Sequence, residues 1–260
     1  MYASGVYRED DGKRFLRPFE VMVGQFRTIA ANRIHALAPA GRLLDIGCGR
    51  GHFLYLMKKK GWDVSGTELC PDLARGIEAA YDIRVTTHPD LPDASVDLIT
   101  MNHVFEHLSS PIEFLSECSR MLKPGGLLVI AVPNYDSWQS RFGGKGWFHL
   151  DVPHHLFHFG ASGLKSLMKR SGFEVRQVRN LDIEQGVFGW LQTMLNRFGF
   201  AHNALYMLLR RQPVSDDGFS RFASLLLSPI LIPFAAVLTL VEAWSGNGAV
   251  VELVCRCQKK

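Results

Sequence analysis

Cysteine is scarce in this chain: there are five, an odd number, with no spacing of the kind that frames a disulfide-rich domain. A cross-linked secreted scaffold is thereby excluded, and reduced thiols in a cytoplasmic protein are expected. Basic runs are scarce too. Lysine and arginine total 29 against 25 acids, a net charge of +4, and no block is long enough for a nucleic-acid arm, so neither DNA nor RNA is an expected partner. The opening residues carry Arg8, Glu9, Asp10 and Asp11 where an export signal needs an apolar stretch. What the chain has in plenty is apolar side chains, 47% of 260 residues, enough for one large domain or a domain with an elaboration.

The most informative stretch is Leu43-Leu44-Asp45-Ile46-Gly47-Cys48-Gly49-Arg50-Gly51. An apolar run ends in an acid, then in glycines at alternate positions, then in residues with helical spacing, which reads as strand, tight turn and helix start. Glycine suits a turn where the backbone takes positive φ and where a ligand lies against the main chain. A dinucleotide fingerprint would need its third glycine at His52, and a phosphate loop would need its lysine well before Lys58. Asp45 at the strand end would repel a pyrophosphate but suits a ligand with a cationic amino group, such as S-adenosylmethionine (SAM). The pattern resembles motif I of the class I SAM-dependent methyltransferases. Glu68, ending the next predicted strand, Asp63 to Thr67, matches that family's ribose-binding acid. The resemblance implies SAM held by Asp45, Gly47, Cys48, Gly49, Glu68 and Leu69, and Asn102 and His103, at the end of the fourth strand, face the crevice where such sheets bind ligands. It also implies an adenine contact just after the third strand, at Asp90, with Thr87 or His88 as alternatives.

Helices and strands alternate along the rest of the chain. Met22, Val23, Phe26, Ile29, Ala30 and Leu37 predict an N-terminal helix with one buried face. Strands are expected at Ile83–Thr87, Val96–Met101, Leu127–Val132, from Phe173, and at Ala249–Cys257. Ser110-Pro111-Ile112-Glu113 predicts a capping box, and Ser162 a further helix cap. The turn Leu122-Lys123-Pro124-Gly125-Gly126 is another feature similar to the methyltransferases. The fold class expected is α/β, a Rossmann-like, doubly wound, mostly parallel sheet of seven strands. The resemblance supplies the strand order 3-2-1-4-5-7-6 with the last strand antiparallel. The expected divisions are an N-terminal segment and helix (1–40), the SAM-binding domain (41–181), a hydrophobic helical insertion (182–248) and the final strand (249–260). Cys255 and Cys257 share one face of that strand and suit burial better than metal binding.

Four histidines, His149, His154, His155 and His158, fall in one loop with Asp151, Trp138, Phe142, Trp147 and Phe148, after the fifth strand. Such loops commonly carry binding functions in α/β enzymes. Transfer of a methyl group to a hydroxyl needs a proton acceptor, and histidine is the usual choice. His154 or His155 is the expected base, with Asp151 as an orienting partner; in the plainer reading these side chains pin a lid. His155-Leu156-Phe157-His158-Phe159 resembles a common methyltransferase segment, which implies a structural role for His158. His103-Val104-Phe105-Glu106-His107 resembles the E-x-x-E-H arrangement of the ubiquinone-pathway O-methyltransferases, associated with a divalent cation. Its first acid is replaced by His103, and no metal is expected.

Phe222 to Val241 is a run of 20 residues without a charge, between Arg221 and Glu242, long enough to cross a bilayer. Pro229 and Pro233 are expected to break the helix, and the chain must return to its own sheet for the last strand. A monotopic arrangement in one leaflet is therefore expected, with peripheral membrane contact through 187–241 and Trp190, Trp244, Arg197, Arg210 and Arg211 as interfacial anchors. A lid or a homodimer interface is the alternative. The function expected is SAM-dependent O-methylation of an amphipathic or lipid-linked small acceptor at the inner face of a membrane. A soluble dimeric small-molecule methyltransferase and a non-catalytic SAM- or lipid-binding scaffold are the alternatives.

Overall fold

The structure is a computed structural model that describes residues 17–210 and 218–259. The first residues of the N-terminal segment and the anchor Arg211 lie outside the described residues. Helix α1 (Arg17–His35) leads into β1 (Arg42–Ile46), α2 (His52–Lys58), β2 (Asp63–Thr67), α3 (Pro71–Tyr81), β3 (Arg84–Thr86) and β4 (Val96–Asn102). There follow α4 (Pro111–Met121), β5 (Leu122–Pro133), α5 (Trp138–Gly143), α6 (Ala161–Arg170) and β6 (Phe173–Arg179). Helices α7 (Ile183–Arg197), α8 (Ala204–Leu209) and α9 (Gly218–Trp244) form the insertion before β7 (Val250–Cys257).

The sheet order is β3-β2-β1-β4-β5-β7-β6, with β7 antiparallel to β5 and β6, as the resemblance implies. Alternation along the strands feeds two cores. Leu44, Ile46, Ile99, Met101, Leu128 and Ile130 meet Leu115 and Met121 of α4 and Leu164 and Met168 of α6. Leu43, Leu98 and Val129 meet Ala31 and Ile34 of α1, Leu54 and Met57 of α2, and Ile77 of α3. The inner face of α1 is therefore centred on Ala31 and Ile34, and Ile29, expected inside, is 61% exposed. Cys255 and Cys257 are buried in the first core.

Three local expectations are corrected. Ser110 stands at the N-cap of α4 but its side chain makes no capping hydrogen bond. Helix α6 begins after Gly160, so Ser162 lies inside it. Helix α9 runs unbroken through Pro229 and Pro233. The two prolines are four residues apart and both exposed, so their missing N–H groups fall on one outer stripe. The opposite stripe packs on α7 and holds the helix together, in a third core of Trp190, Leu191, Met194, Leu195, Leu205 and Ala235.

The stripe that α9 buries is small and polar: Ser220, Ser224, Ser228, Ala235, Thr239 and Glu242. Ser228 and Thr239 return their hydroxyls to the carbonyls of Ser224 and Ala235, and Ser220 accepts from the Ala201 amide. The large side chains point the other way. Phe219, Phe222, Leu226, Ile230, Phe234, Val237, Leu240 and Trp244 are all more than half exposed. Trp190, expected as an interfacial anchor, is instead buried and donates its indole N–H to Glu242. That carboxylate also accepts from the Gln139 amide, and burial pushes its pKa up to about 7.

Candidate active site

The glycine turn lies at the carboxyl ends of the central strands, where open α/β sheets bind ligands. Gly47 has φ +68°, and a Cβ there would sit 2.5 Å from a methyl carbon of Val104, so the turn is closed to other residues on two counts. The Cys48 amide donates to the Thr67 carbonyl at 2.9 Å, which binds the turn to the end of β2. Glu68 completes the tie: one carboxylate oxygen accepts from the Gly49 amide at 3.0 Å and the other from the Cys70 amide at 2.9 Å. Asp45 is buried at the end of β1, with the Thr100 hydroxyl donating to it at 2.6 Å. Burial pushes its pKa up to about 7, against the opposing pull of that hydrogen bond. The Cys48 thiol is pushed well above its ordinary value by burial and by the Asp45 and Glu68 charges. It is held as a neutral thiol. Asn102 ends β4 and is exposed; Leu69 is 56% exposed, and Asp90 is exposed in the loop after β3.

The second half of the site is assembled from two distant segments. His103 follows β4 with φ +54°, and the next residues form a 3₁₀ turn, Phe105–His107, that buries the Glu106 side chain to 1% exposure. Neither Glu106 oxygen has a hydrogen-bond partner among the described residues. The long loop after β5 is laid over this acid, its Leu156 and Phe157 amides donating to the Glu106 carbonyl at 2.9 and 3.1 Å. The loop thereby sets His155 Nε2 3.9 Å from Glu106 and 3.9 Å from Asp151. His103 Nδ1 lies 3.5 Å from the same Glu106 oxygen, an ion-pair distance beyond good hydrogen bonding. Burial works against the charged forms of both, but their mutual attraction leaves His103 raised and Glu106 lowered.

His155 Nδ1 faces the His149 carbonyl at 2.8 Å, and a carbonyl accepts only, so Nδ1 carries the proton and Nε2 the lone pair. Its pKa is lowered, chiefly by burial; Glu106 and Asp151 pull it up while His107 pushes it down. His154 sits farther out, its side chain 47% exposed, 3.2 Å from Asp151. Both histidine amides donate to the Asp151 carbonyl, a turn that Asp151 starts at φ +33°. His158 Nε2 donates to the Leu150 carbonyl at 2.8 Å, a contact that pins the loop. Glu106, His107 and His155 each offer a ligand atom within 4.8 Å of the others, so among the described residues these three could hold a cation.

Helix α7 roofs this loop. A Cβ on Gly189 would meet Gln139 at 2.6 Å and His149 at 2.7 Å, so a glycine lets the helix seat against the histidines. Phe148 rests on Phe188 and Tyr206, and the Gln139 amide group joins the Trp147 indole to the Gly186 carbonyl. Burial, then the nearby His103 charge, pushes His149 down to about 3, so it stays neutral. Glu106 and His149 are the side chains that sequence reasoning left out of the site. For Glu106 the signal was its place in the His103-to-His107 string.

The chain is similar to known methyltransferases in sequence and in fold. A methyltransferase-domain family matches residues 23–178. A probable S-adenosylmethionine-dependent methyltransferase of Mycolicibacterium smegmatis is 34% identical over 145 residues, 52% of this chain and 53% of that protein. A ubiquinone biosynthesis O-methyltransferase of Cereibacter sphaeroides is 38% identical over 126 residues, 43% of this chain and 50% of that one. The chain thus spans about half the length of these curated relatives. Among solved structures, a SAM-dependent methyltransferase of Thermotoga maritima, described as a possible histamine N-methyltransferase, superposes with a TM-score of 0.56. It is 21% identical, over 95% of this chain and 97% of that one. A putative sarcosine dimethylglycine methyltransferase of Galdieria sulphuraria gives 0.57 at 17% identity, over 98% and 93%. These structures share the fold. The chain belongs to the methyltransferase-domain family, the class I SAM-dependent methyltransferases.

Proposed function

We propose that this protein transfers the methyl group of SAM to an oxygen of an amphipathic or lipid-linked small acceptor, working at the inner face of a membrane. The observation that carries the location is the reversed polarity of α9, with serine, threonine and glutamate inward and phenylalanine, leucine, isoleucine and tryptophan outward. A continuous apolar face of this kind is stable when lipid covers it. Helix α7 lies between α9 and the histidine loop: Gly186 packs on Thr239 of the buried stripe of α9, and Gly189 on His149. An acceptor whose apolar part stays in the leaflet would thus find the site close by.

In this reading Asp45 takes the amino group of SAM, Glu68 the ribose hydroxyls, and the amides and α-carbons of Gly47, Cys48 and Gly49 the surface against which the ligand lies. Leu69, Asp90, Asn102 and His103 line its remaining sides. SAM supplies an electrophilic methyl carbon, so the protein's task is alignment and removal of one proton. His155 is the proposed base. Burial keeps it neutral, its tautomer leaves Nε2 to accept the hydroxyl proton, and the imidazolium so formed faces Glu106 and Asp151. The O-methyltransferase name of the Cereibacter relative supports oxygen as the acceptor atom.

Co-sedimentation with phosphatidylcholine vesicles tests the location. The wild-type protein is expected to pellet with vesicles, and Phe222→Glu with Phe234→Glu to stay in solution with SAM binding intact. Each outward side chain contributes about 1.5 to 3 kcal/mol when withdrawn from water, so the pair should lower partitioning at least about a hundredfold. A wild-type protein that remains in solution as a dimer would replace the lipid reading with a dimer interface.

The Asp45 assignment has a pH consequence. An acid raised from 3.8 to about 7 contributes stability to the ligand-free fold at low pH, lost as pH climbs through that window. A cationic amino group needs the carboxylate, so SAM binding releases a proton below about pH 7. Affinity should rise by up to about tenfold per unit between pH 5 and 7 and then level off. Calorimetry in two buffers of different ionisation enthalpy checks it, and an affinity that is flat across the window removes Asp45 from this role.

A further inference from the structure

The membrane reading leaves one polar feature unused. Where β6 ends, Val178, Arg179, Asn180 and Leu181 form one wall of an open cleft of about 420 Å³, and Leu240, Ala243 and Trp244 of the last α9 turns form the other. The rim is apolar and open to solvent, with Leu240 56% and Trp244 90% exposed. Two side chains of the strand wall carry groups without a hydrogen-bond partner among the described residues. The Arg179 side chain is half-buried and makes no hydrogen bond or ion-pair contact among the described residues. The acids near it are already engaged. Glu252, its cross-strand neighbour, is gripped by both terminal nitrogens of Arg33 at 2.6 and 2.5 Å, and Asp182 accepts the Gln185 amide as the N-cap of α7. Asn180 Oδ1 is buried and accepts nothing.

A guanidinium partly withdrawn from water with no ion-pair contact of its own, beside an acceptor without a donor, leaves both groups for a ligand to satisfy. Burial and then Arg33 disfavour the Arg179 charge, and the more weakly acting Glu252 and Asp182, both engaged elsewhere, offset this only in part. The complementary ligand is an anion with a hydrogen-bond donor close by and an apolar body that leaves along Leu240 and Trp244. Guanidinium recognises phosphate by a bidentate fork, and tryptophan at a helix end suits the depth of lipid headgroups. We infer that this cleft binds the headgroup of an anionic phospholipid, phosphate on Arg179 and headgroup hydroxyl or ammonium on Asn180 Oδ1. The inference rests on the membrane reading of α9 and adds a specific lipid contact to it, separate from the residues assigned to SAM and to proton transfer.

Vesicles of phosphatidylcholine with and without phosphatidylglycerol test it on the full chain. The wild-type protein should bind the phosphatidylglycerol vesicles at least about fivefold more tightly, the weight of one basic residue at an anionic surface. Arg179→Gln should abolish that preference, and so should Ala243→Phe, which fills the cleft without changing charge. Arg176→Gln removes an exposed arginine of the same strand and should leave the preference in place. All three should keep their SAM affinity and their binding to phosphatidylcholine. Preference retained in Arg179→Gln and Ala243→Phe, or lost equally in Arg176→Gln, would overturn the site in favour of diffuse charge. Equal binding of the wild type to both vesicles would overturn the cleft and spare the membrane reading; binding to neither would remove both. Arg179-dependent thermal stabilisation by soluble sn-glycerol 3-phosphate, without any vesicle preference, would overturn the lipid assignment in favour of a soluble phosphate ester.

Discussion

His155→Ala is expected to lower kcat by about 10² to 10⁴ while leaving SAM affinity unchanged, the range for loss of a positioned general base. Three features equip this ring to accept a proton. The His149 carbonyl fixes the tautomer, burial keeps the ring neutral, and two carboxylates at 3.9 Å stabilise the proton once it arrives. His154→Ala should stay near the wild-type rate, because that ring is half exposed and hydrogen-bonds to Asp151 at the surface of the loop. Glu106→Gln should fall between them, since it removes the buried charge that favours imidazolium. The same trio of Glu106, His107 and His155 gives a cation reading its own test. Chelation with EDTA should leave the wild-type rate in place if His155 acts on a proton, and abolish it if a metal is held there. Single-turnover transfer of labelled methyl from SAM separates these outcomes. An unchanged rate in His155→Ala would return the ring to a role in pinning the loop.

Glu68→Ala is expected to weaken SAM binding by about 1 to 3 kcal/mol, or roughly 5- to 150-fold. Its carboxylate already spans the Gly49 and Cys70 amides, so the substitution removes the brace that holds the glycine turn together with the acceptor proposed for the ribose hydroxyls. Glu68→Gln keeps one carbonyl acceptor and should recover part of the loss. Thermal unfolding monitored beside calorimetry shows whether the fold persists. Unchanged affinity in Glu68→Ala would take Glu68 out of the site.

The proposed cofactor half is legible in the sequence because its residues are local. Asp45, the three glycines and Glu68 sit at strand ends that hydrophobic runs announce, and the sheet then brings β1 and β2 side by side. The strand order came from the family resemblance, since hydropathy alone does not say which strand lies at an edge. The acceptor half was less legible. The pairing of Glu106 with His155 depends on the path of a long loop over a 3₁₀ turn, and no periodicity encodes that path. In α9 the apolar run was plain, but the direction of its face was not. Ser224, Ser228 and Thr239 are small enough to pass for neutral members of an apolar helix, and only packing on α7 shows that they are the buried side. Pro229 and Pro233 misled for a related reason: a proline rule for isolated helices ignores a neighbour that holds the opposite stripe. Trp190 has the composition of an interfacial anchor, but its indole N–H is bonded to buried Glu242, a contact no local pattern encodes.

The most direct test of the central claim is to incubate the protein with methyl-labelled SAM and bacterial membranes, then extract the products into organic solvent. Label transferred to a species that partitions into the organic phase, and lost with His155→Ala, is the expected result. Label confined to water-soluble products would contradict the membrane-surface acceptor, and no transfer to any fraction would leave a SAM-binding fold without the proposed chemistry.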